Sequence, residues 1–231
     1  MSWNVHALSD DKVIAVCDEA KYSGCDVIAI QEIGKNWAVH FNSLFELHGY
    51  VVVARKHRPE EQRGGGVAIA VRTARPGLEP LRARTWSPAP HPPAGLDCVG
   101  IHTCVDGVQV GVLCLYWAPE GGQAAVKCSV DAMKTWLALV PSNRTIIAGD
   151  FNARHHAWCP RGLEAVTDAK TRGKMVVASK WRVTNMLVSN VRSTAARGAT
   201  FRRAGTTPDI ILGGTGIYGI SVNRRNEAEE S

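Results

Sequence analysis

Residues 147–158 read IAGDFNARHHAW. The apolar run from Arg144 to Ala148 predicts a buried strand, which Gly149 is expected to end. Directly after it stand Asp150 and, two positions on, Asn152. Residues i and i+2 of an extended segment point the same way, so the carboxylate and the amide share a face. Loops at strand ends are where α/β proteins place functional groups. A carboxylate there can hold or deprotonate a water, and an amide can donate hydrogen bonds to a phosphoryl oxygen. The same pair can also form an Asx-type turn with no chemistry attached. The segment by itself leaves both readings open.

Moving outward, a second apolar run also ends in a polar pair, Val27-Ile28-Ala29-Ile30 followed by Gln31-Glu32. Glu32 is a second carboxylate at a strand end. Magnesium asks for one or two carboxylates with waters and substrate phosphate, rather than a full protein cage. The remaining pattern alternates helices and strands. Helices are expected over Lys12 to Tyr22, with Ser9 or Asp10 as a cap, over Asn36 to Leu47, and over Ala124 to Val140. Strands are expected over Asp26 to Ile30, Tyr50 to Ala54, Val67 to Val71, and over Val99 to Cys104 and Val108 to Tyr116. Asp106-Gly107 closes the last two into a hairpin. Residues 86–95, WSPAPHPPAG, read as a Pro-rich loop inside one domain, because strands resume on both sides. The pattern is that of an α/β layered domain with sheets at the centre and helices outside.

The 231 residues suit one large domain or two small ones, long enough to bury a core with no metal or disulfide staple. The seven cysteines are odd in number and no pair has CxxC spacing, which suggests free thiols in a reducing, intracellular setting. His155, His156 and Cys159 hint at zinc, but no second ligand pair follows at finger spacing. No apolar run is long enough to span a bilayer, so no membrane partner is expected. The net charge of +6 is unevenly spread. Between Arg154 and Arg203, eleven basic residues face two acidic ones, a surplus of nine, and the rest of the chain is net acidic. That segment is either a solvated basic face or a surface that tracks a phosphate backbone.

Taken in order, Trp3-Asn4-Val5, Gln31-Glu32, Tyr116, Gly149-Asp150-Phe151-Asn152 and Pro208-Asp209 resemble the endonuclease/exonuclease/phosphatase superfamily over nearly the whole chain. Within it, GDFNARHHAW and the stretch QRGGGVAIAVR from Gln62 to Arg72 are similar to the apurinic-endonuclease-like domains of non-LTR retrotransposons. The resemblance implies a four-layered α/β/β/α sandwich of the DNase I-like type. It implies Glu32 as the principal Mg²⁺ ligand, with Mn²⁺ as a substitute, and Asn4 as an asparagine of the metal site. Tyr116 would contact the scissile phosphate, Asp150 would position or activate the attacking water, and Asn152 would steady the transition state. Asp209 would orient a catalytic histidine. His155, His156, Thr200, Arg202 and Arg203 would meet DNA. The implied reaction is metal-assisted hydrolysis of a phosphodiester. The implied role is to nick duplex DNA and so prime reverse transcription, in the nucleus, alongside a reverse transcriptase domain of the same element.

The chain departs from that pattern at two places. The superfamily's late Ser-Asp-His triplet has no counterpart, for no histidine follows His156. The expectation is therefore a domain over 1–222 that lacks its last strand, a polar tail over 223–231, and impaired nicking. At the other end only Met1 and Ser2 precede Trp3-Asn4, where a first strand should run, and His6 stands where Asp or Asn is usual. His6 can bond a phosphate or a ligand water, or be an ordinary strand-end histidine. Two other functions remain open. One is an abasic-site repair nuclease or small-phosphoester phosphatase of the same superfamily. The other is a non-catalytic nucleic-acid-binding remnant.

Overall fold

The computed structural model describes residues 1–34, 37–56, 65–73, 83–86, 96–105, 108–117, 145–150, 186–188 and 209–214; for 83, 84, 86, 104, 105, 108, 186–188 and 209–214 the backbone alone is described. The expected helix over Ala124 to Val140, the 223–231 tail and the domain boundary at 222 lie outside these residues.

The elements in chain order are β1 (Ser2–Asn4), α1 (Asp10–Tyr22), β2 (Val27–Gln31), α2 (His40–Leu47), β3 (Tyr50–Lys56), β4 (Val67–Arg72), β5 (Ala83–Trp86), β6 (Leu96–Val105), β7 (Val108–Trp117), β8 (Thr145–Asp150), β9 (Met186–Val188) and β10 (Asp209–Gly214). They form two mixed sheets, ordered β1-β2-β4-β3 and β5-β6-β7-β8-β10-β9. In each sheet one neighbouring pair is parallel, β1 with β2 and β7 with β8, and the other pairs are antiparallel.

Alternation along the strands explains the layering. β4 reads VAIAVR, and its first five residues are buried. Ala68 and Ala70 point to one face and join Ile28, Ile30, Tyr50 and the inward stripe of the helices. Val67, Ile69 and Val71 point to the other and meet Ile101, Val112, Cys114 and Ala148 of the second sheet. A strand buried on both faces reads as an unbroken apolar run, as β2 and β4 do. On α1 the inward stripe is Val13, Val16, Cys17 and Ala20, at the spacing of one helical face. Across the second sheet, Leu113, Leu115 and Trp117 alternate onto the face away from the first sheet and are fully buried there.

Several sequence-based expectations shift. α1 starts at Asp10, with Ser9 as an extended N-cap residue that makes no side-chain capping bond; Asp10 and Asp11 both favour the first turn, where the helix dipole is positive. α2 starts only at His40, not at Asn36. Ahead of it, Trp37 stacks on Phe45 with centroids 6.1 Å apart, meets Phe41 edge-on at 5.6 Å, and donates its indole N–H to Asn42 Oδ1 at 3.2 Å. Trp86, expected in the Pro-rich loop, belongs to β5 and pairs with Gly100. The first strand is made by Ser2, Trp3 and Asn4 themselves, pairing with Ala29, Ile30 and Gln31, and the terminal amine of Met1 donates to Val27 O at 2.7 Å.

Gly149 does not end β8; it lies inside the strand, paired with Ile210. A Cβ at this position would run into the Leu115 carbonyl oxygen on the neighbouring parallel strand. Glycine here lets β7 and β8 approach closely, which is a packing reason for a residue that otherwise weakens strands.

The described free cysteines are Cys17, Cys25, Cys98 and Cys114. Burial pushes the Cys17 and Cys114 thiols up to about 12 and raises the Cys98 thiol as well. The thiolate is the reactive form, so these three should be inert in the native protein. Alkylation at mildly alkaline pH followed by mass mapping is expected to leave Cys17, Cys98 and Cys114 unmodified until denaturant is added. Native labelling of any of the three would contradict this burial.

Candidate active site

The C-terminal ends of the two parallel pairs meet at one end of the sandwich. Asn4 ends β1 opposite Gln31, and Glu32 follows directly after β2. In the second sheet Asp97, Tyr116, Asp150 and Asp209 lie opposite one another on β6, β7, β8 and β10, forming one row across four strands. The space outside the carboxyl ends of parallel strands is where open α/β sheets bind ligands.

Asn4 joins the two sheets. Its Nδ2 donates to Glu32 Oε1 at 3.1 Å and to Asp150 Oδ2 at 3.0 Å. Its Oδ1 accepts from the backbone N–H of His6 at 3.1 Å. Asp150 is buried, and the Glu32 side chain is 14% exposed. Two carboxylates separated by a single amide group repel one another, and a cation beside them offsets that repulsion. Beneath the pair, the fully buried Gln31 donates its Nε2 to Cys114 Sγ at 3.2 Å, Cys114 Sγ donates to Ile30 O at 3.3 Å, and Ser2 Oγ donates to Gln31 Oε1 at 3.3 Å. The two bonds of Cys114 stitch the sheets together directly under the site, and the Ser2 bond ties β1 to β2 within the first sheet.

Glu32 has φ of 55°, in the left-handed region. For a non-glycine residue that backbone costs on the order of 1–3 kcal/mol and persists only where surrounding bonds hold it. Here Ala7 N donates to Glu32 O at 2.7 Å and Gly34 N donates to Gly65 O at 3.1 Å. Gly66, with φ of 77°, lies so close to Ile33, Lys56 and Gly34 that a Cβ would not fit. The other described non-glycine residues with positive φ are His6 and Ala7, at the same end of the molecule. His6 Nδ1 stands 2.8 Å from Glu32 Oε2, and its ring is 89% exposed. The sequence left His6 open between a site residue and a bystander; the geometry makes it a neighbour of Glu32.

Of the residues singled out from sequence, Asn4, Glu32, Tyr116 and Asp150 come together, and Asp209 holds the register position opposite Asp150. Asn152, His155, His156, Thr200, Arg202 and Arg203 lie outside the described residues. Sequence reasoning missed Asp97. This buried carboxylate accepts from Gly66 N–H at 2.8 Å, has Lys56 Nζ at 3.7 Å, and so anchors the start of β4 beside Tyr116. The signal was available, since counting outward from the Asp106-Gly107 turn pairs Asp97 with Tyr116.

Among the described residues, no group of three or more His, Cys, Asp or Glu side chains is gathered so as to hold a metal. Glu32 and Asp150, with Asn4 between them, are hard oxygen donors of the number that magnesium takes from a protein, the rest being water and phosphate. That donor set fits a hard divalent ion. Also among the described residues, no helix is long and apolar enough to cross a membrane.

A strand-end constellation of this kind, on two face-to-face mixed sheets, places carboxylates and amides where an α/β protein binds its ligand. The chain belongs to the endonuclease/exonuclease/phosphatase family, whose sequence profile matches residues 1–167. Members of that family are nucleases and phosphatases. Among solved structures, the endonuclease domain of TRAS1, a telomere-specific non-LTR retrotransposon, is similar at 15% identity and a TM-score of 0.62, covering 92% of this chain and 82% of its own. An AP endonuclease from Archaeoglobus fulgidus is similar at 16% identity and a TM-score of 0.64, covering 91% and 84%. The AP endonuclease LMAP from Leishmania major is similar at 16% identity and a TM-score of 0.61, covering 91% and 77%. At these identities the likeness establishes the DNase I-like fold. No curated protein sequence matches the chain.

Proposed function

We propose that this chain is a divalent-metal-dependent DNA endonuclease of the non-LTR retrotransposon branch, which nicks duplex DNA so that the freed 3′-hydroxyl primes reverse transcription. The observation that carries the reading is the amide of Asn4 shared between Glu32 and Asp150, one carboxylate from each sheet. The GDFNARHHAW motif and the basic surplus between Arg154 and Arg203 support a DNA substrate. Its work would lie in the nucleus, next to a reverse transcriptase domain of the same element.

In this reading Glu32 and Asn4 hold the metal site, which takes Mg²⁺ or Mn²⁺. When bound, such an ion would supply charge to offset that on the phosphate and on the leaving oxygen. Asp150 orients the attacking water and takes its proton. Tyr116, in register with Asp150, donates from its phenol to a phosphate oxygen, and Asn152 donates to the charge that builds up there. Asp209, on β10 and in register with Asp150 on β8, is the carboxylate that the resemblance assigns to orienting a catalytic histidine. His155, His156, Thr200, Arg202 and Arg203 grip the duplex, mostly through its backbone.

The test is conversion of supercoiled plasmid to open circle with Mg²⁺ or Mn²⁺, run beside a duplex carrying an abasic site and beside inositol phosphates. Plasmid nicking that falls by about 100-fold or more in Glu32→Ala is expected. Hydrolysis of inositol phosphates alone, cleavage only at the abasic site, or salt-sensitive binding with no cleavage would each sink the reading in favour of a named alternative.

A further inference from the structure

We propose that Lys12 is a positioning residue of this site, acting through the His6 turn on Glu32. Lys12 lies in the first turns of α1, away from both carboxylates in sequence. Its Nζ donates to three consecutive carbonyls, Val5 O at 2.6 Å, His6 O at 3.0 Å and Ala7 O at 2.9 Å. An ammonium has three protons and no acceptor, so all its donors are spent on that one turn. The turn is the one that needs holding, because His6 and Ala7 have φ of 51° and 71°, the conformation that L side chains rarely adopt. Three carbonyls aimed at one point also repel each other unless a cation sits among them.

What the turn delivers is the imidazole of His6. A carboxylate only accepts, so at 2.8 Å His6 Nδ1 donates to Glu32 Oε2. Glu32 then has both oxygens oriented, Oε1 by Asn4 and Oε2 by His6. Residues that orient a ligand carboxylate in this way govern metal affinity without touching the metal. The chain of action is Lys12 to the 5–7 backbone, the backbone to His6, and His6 to Glu32. The inference rests on the reading of Glu32 as metal ligand, but its first link stands without metal.

Two measurements test it. In the metal-free protein, imidazole ¹⁵N resonances are expected to show His6 Nδ1 as the protonated nitrogen, and Lys12→Met is expected to return it to the pattern of a free ring. With Mn²⁺ as the probe, titration calorimetry is expected to show affinity weakened about 10-fold or more in Lys12→Met and in His6→Ala. The double variant should be no weaker than His6→Ala alone. His6 is exposed, so His6→Ala keeps the fold and decides the second link even if Lys12→Met does not fold. An unchanged His6 resonance in Lys12→Met, unchanged Mn²⁺ affinity in His6→Ala, fully additive losses, or a histidine nitrogen bound to Mn²⁺ by pulsed electron resonance would each overturn the proposal. Failure of the underlying reading looks different: Mn²⁺ would bind equally well to Glu32→Ala, while the His6 resonance still reports on Lys12.

Discussion

Asp150→Asn is expected to slow metal-dependent plasmid nicking by about 10³-fold while leaving the protein folded. The substitution keeps the size of the side chain, and the new amide oxygen can still accept the hydrogen bond from Asn4 Nδ2 that Asp150 Oδ2 accepts at 3.0 Å. What is lost is the negative charge and the capacity to take a proton from water. The buried setting sharpens the contrast, because few bulk waters can substitute for the missing base. Single-turnover rates, with circular dichroism as the fold control, measure the effect. A rate within about tenfold of the parent chain would remove Asp150 from the role of base.

Gly149→Ala should act on the scaffold instead. Its Cβ would collide with the backbone oxygen of Leu115, on the parallel strand hydrogen-bonded to β8. A clash against backbone cannot be relieved by turning a side chain, so β7 and β8 must part. The expected cost is about 3 kcal/mol, at the upper end for overpacking. In a chain of this size that lowers Tm by roughly 6–12 °C. Because Tyr116 and Asp150 are the next register pair along, activity below the melting transition should fall as well. A Tm within about 2 °C of the parent value would show that β8 absorbs the methyl group.

The sequence was most legible where one local rule decides the outcome. The unbroken apolar runs of β2 and β4 and the antiparallel pairing of β6 with β7 identify themselves, since burial on both faces and a turn-forming dipeptide between two apolar runs leave direct marks on composition. Legibility faded where the cause lies in another element. Nothing local to Gly149 says whether a glycine ends a strand or admits a neighbour; Leu115 decides it. Ahead of α2, Trp37 stacks on Phe45, a contact that no local propensity marks. Asn4, Glu32, Tyr116 and Asp150 were recognisable as a set by their order along the chain. Their convergence was not, because it depends on pairing between residues as far apart as 4 and 150. Lys12 left no mark at all, since its partners are main-chain carbonyls that every residue carries.

The 146-residue separation between Asn4 and Asp150 has a consequence for the life of the polypeptide. One sheet supplies Glu32 and the other supplies Asp150, so neither half of the sandwich holds the pair alone. A chain emerging from the ribosome with its first sheet formed has no paired site until β8 has been made and docked. The same holds for a mature chain whose sheets have come apart. On the proposed reading, the capacity to cut exists only while the two sheets are docked on one another.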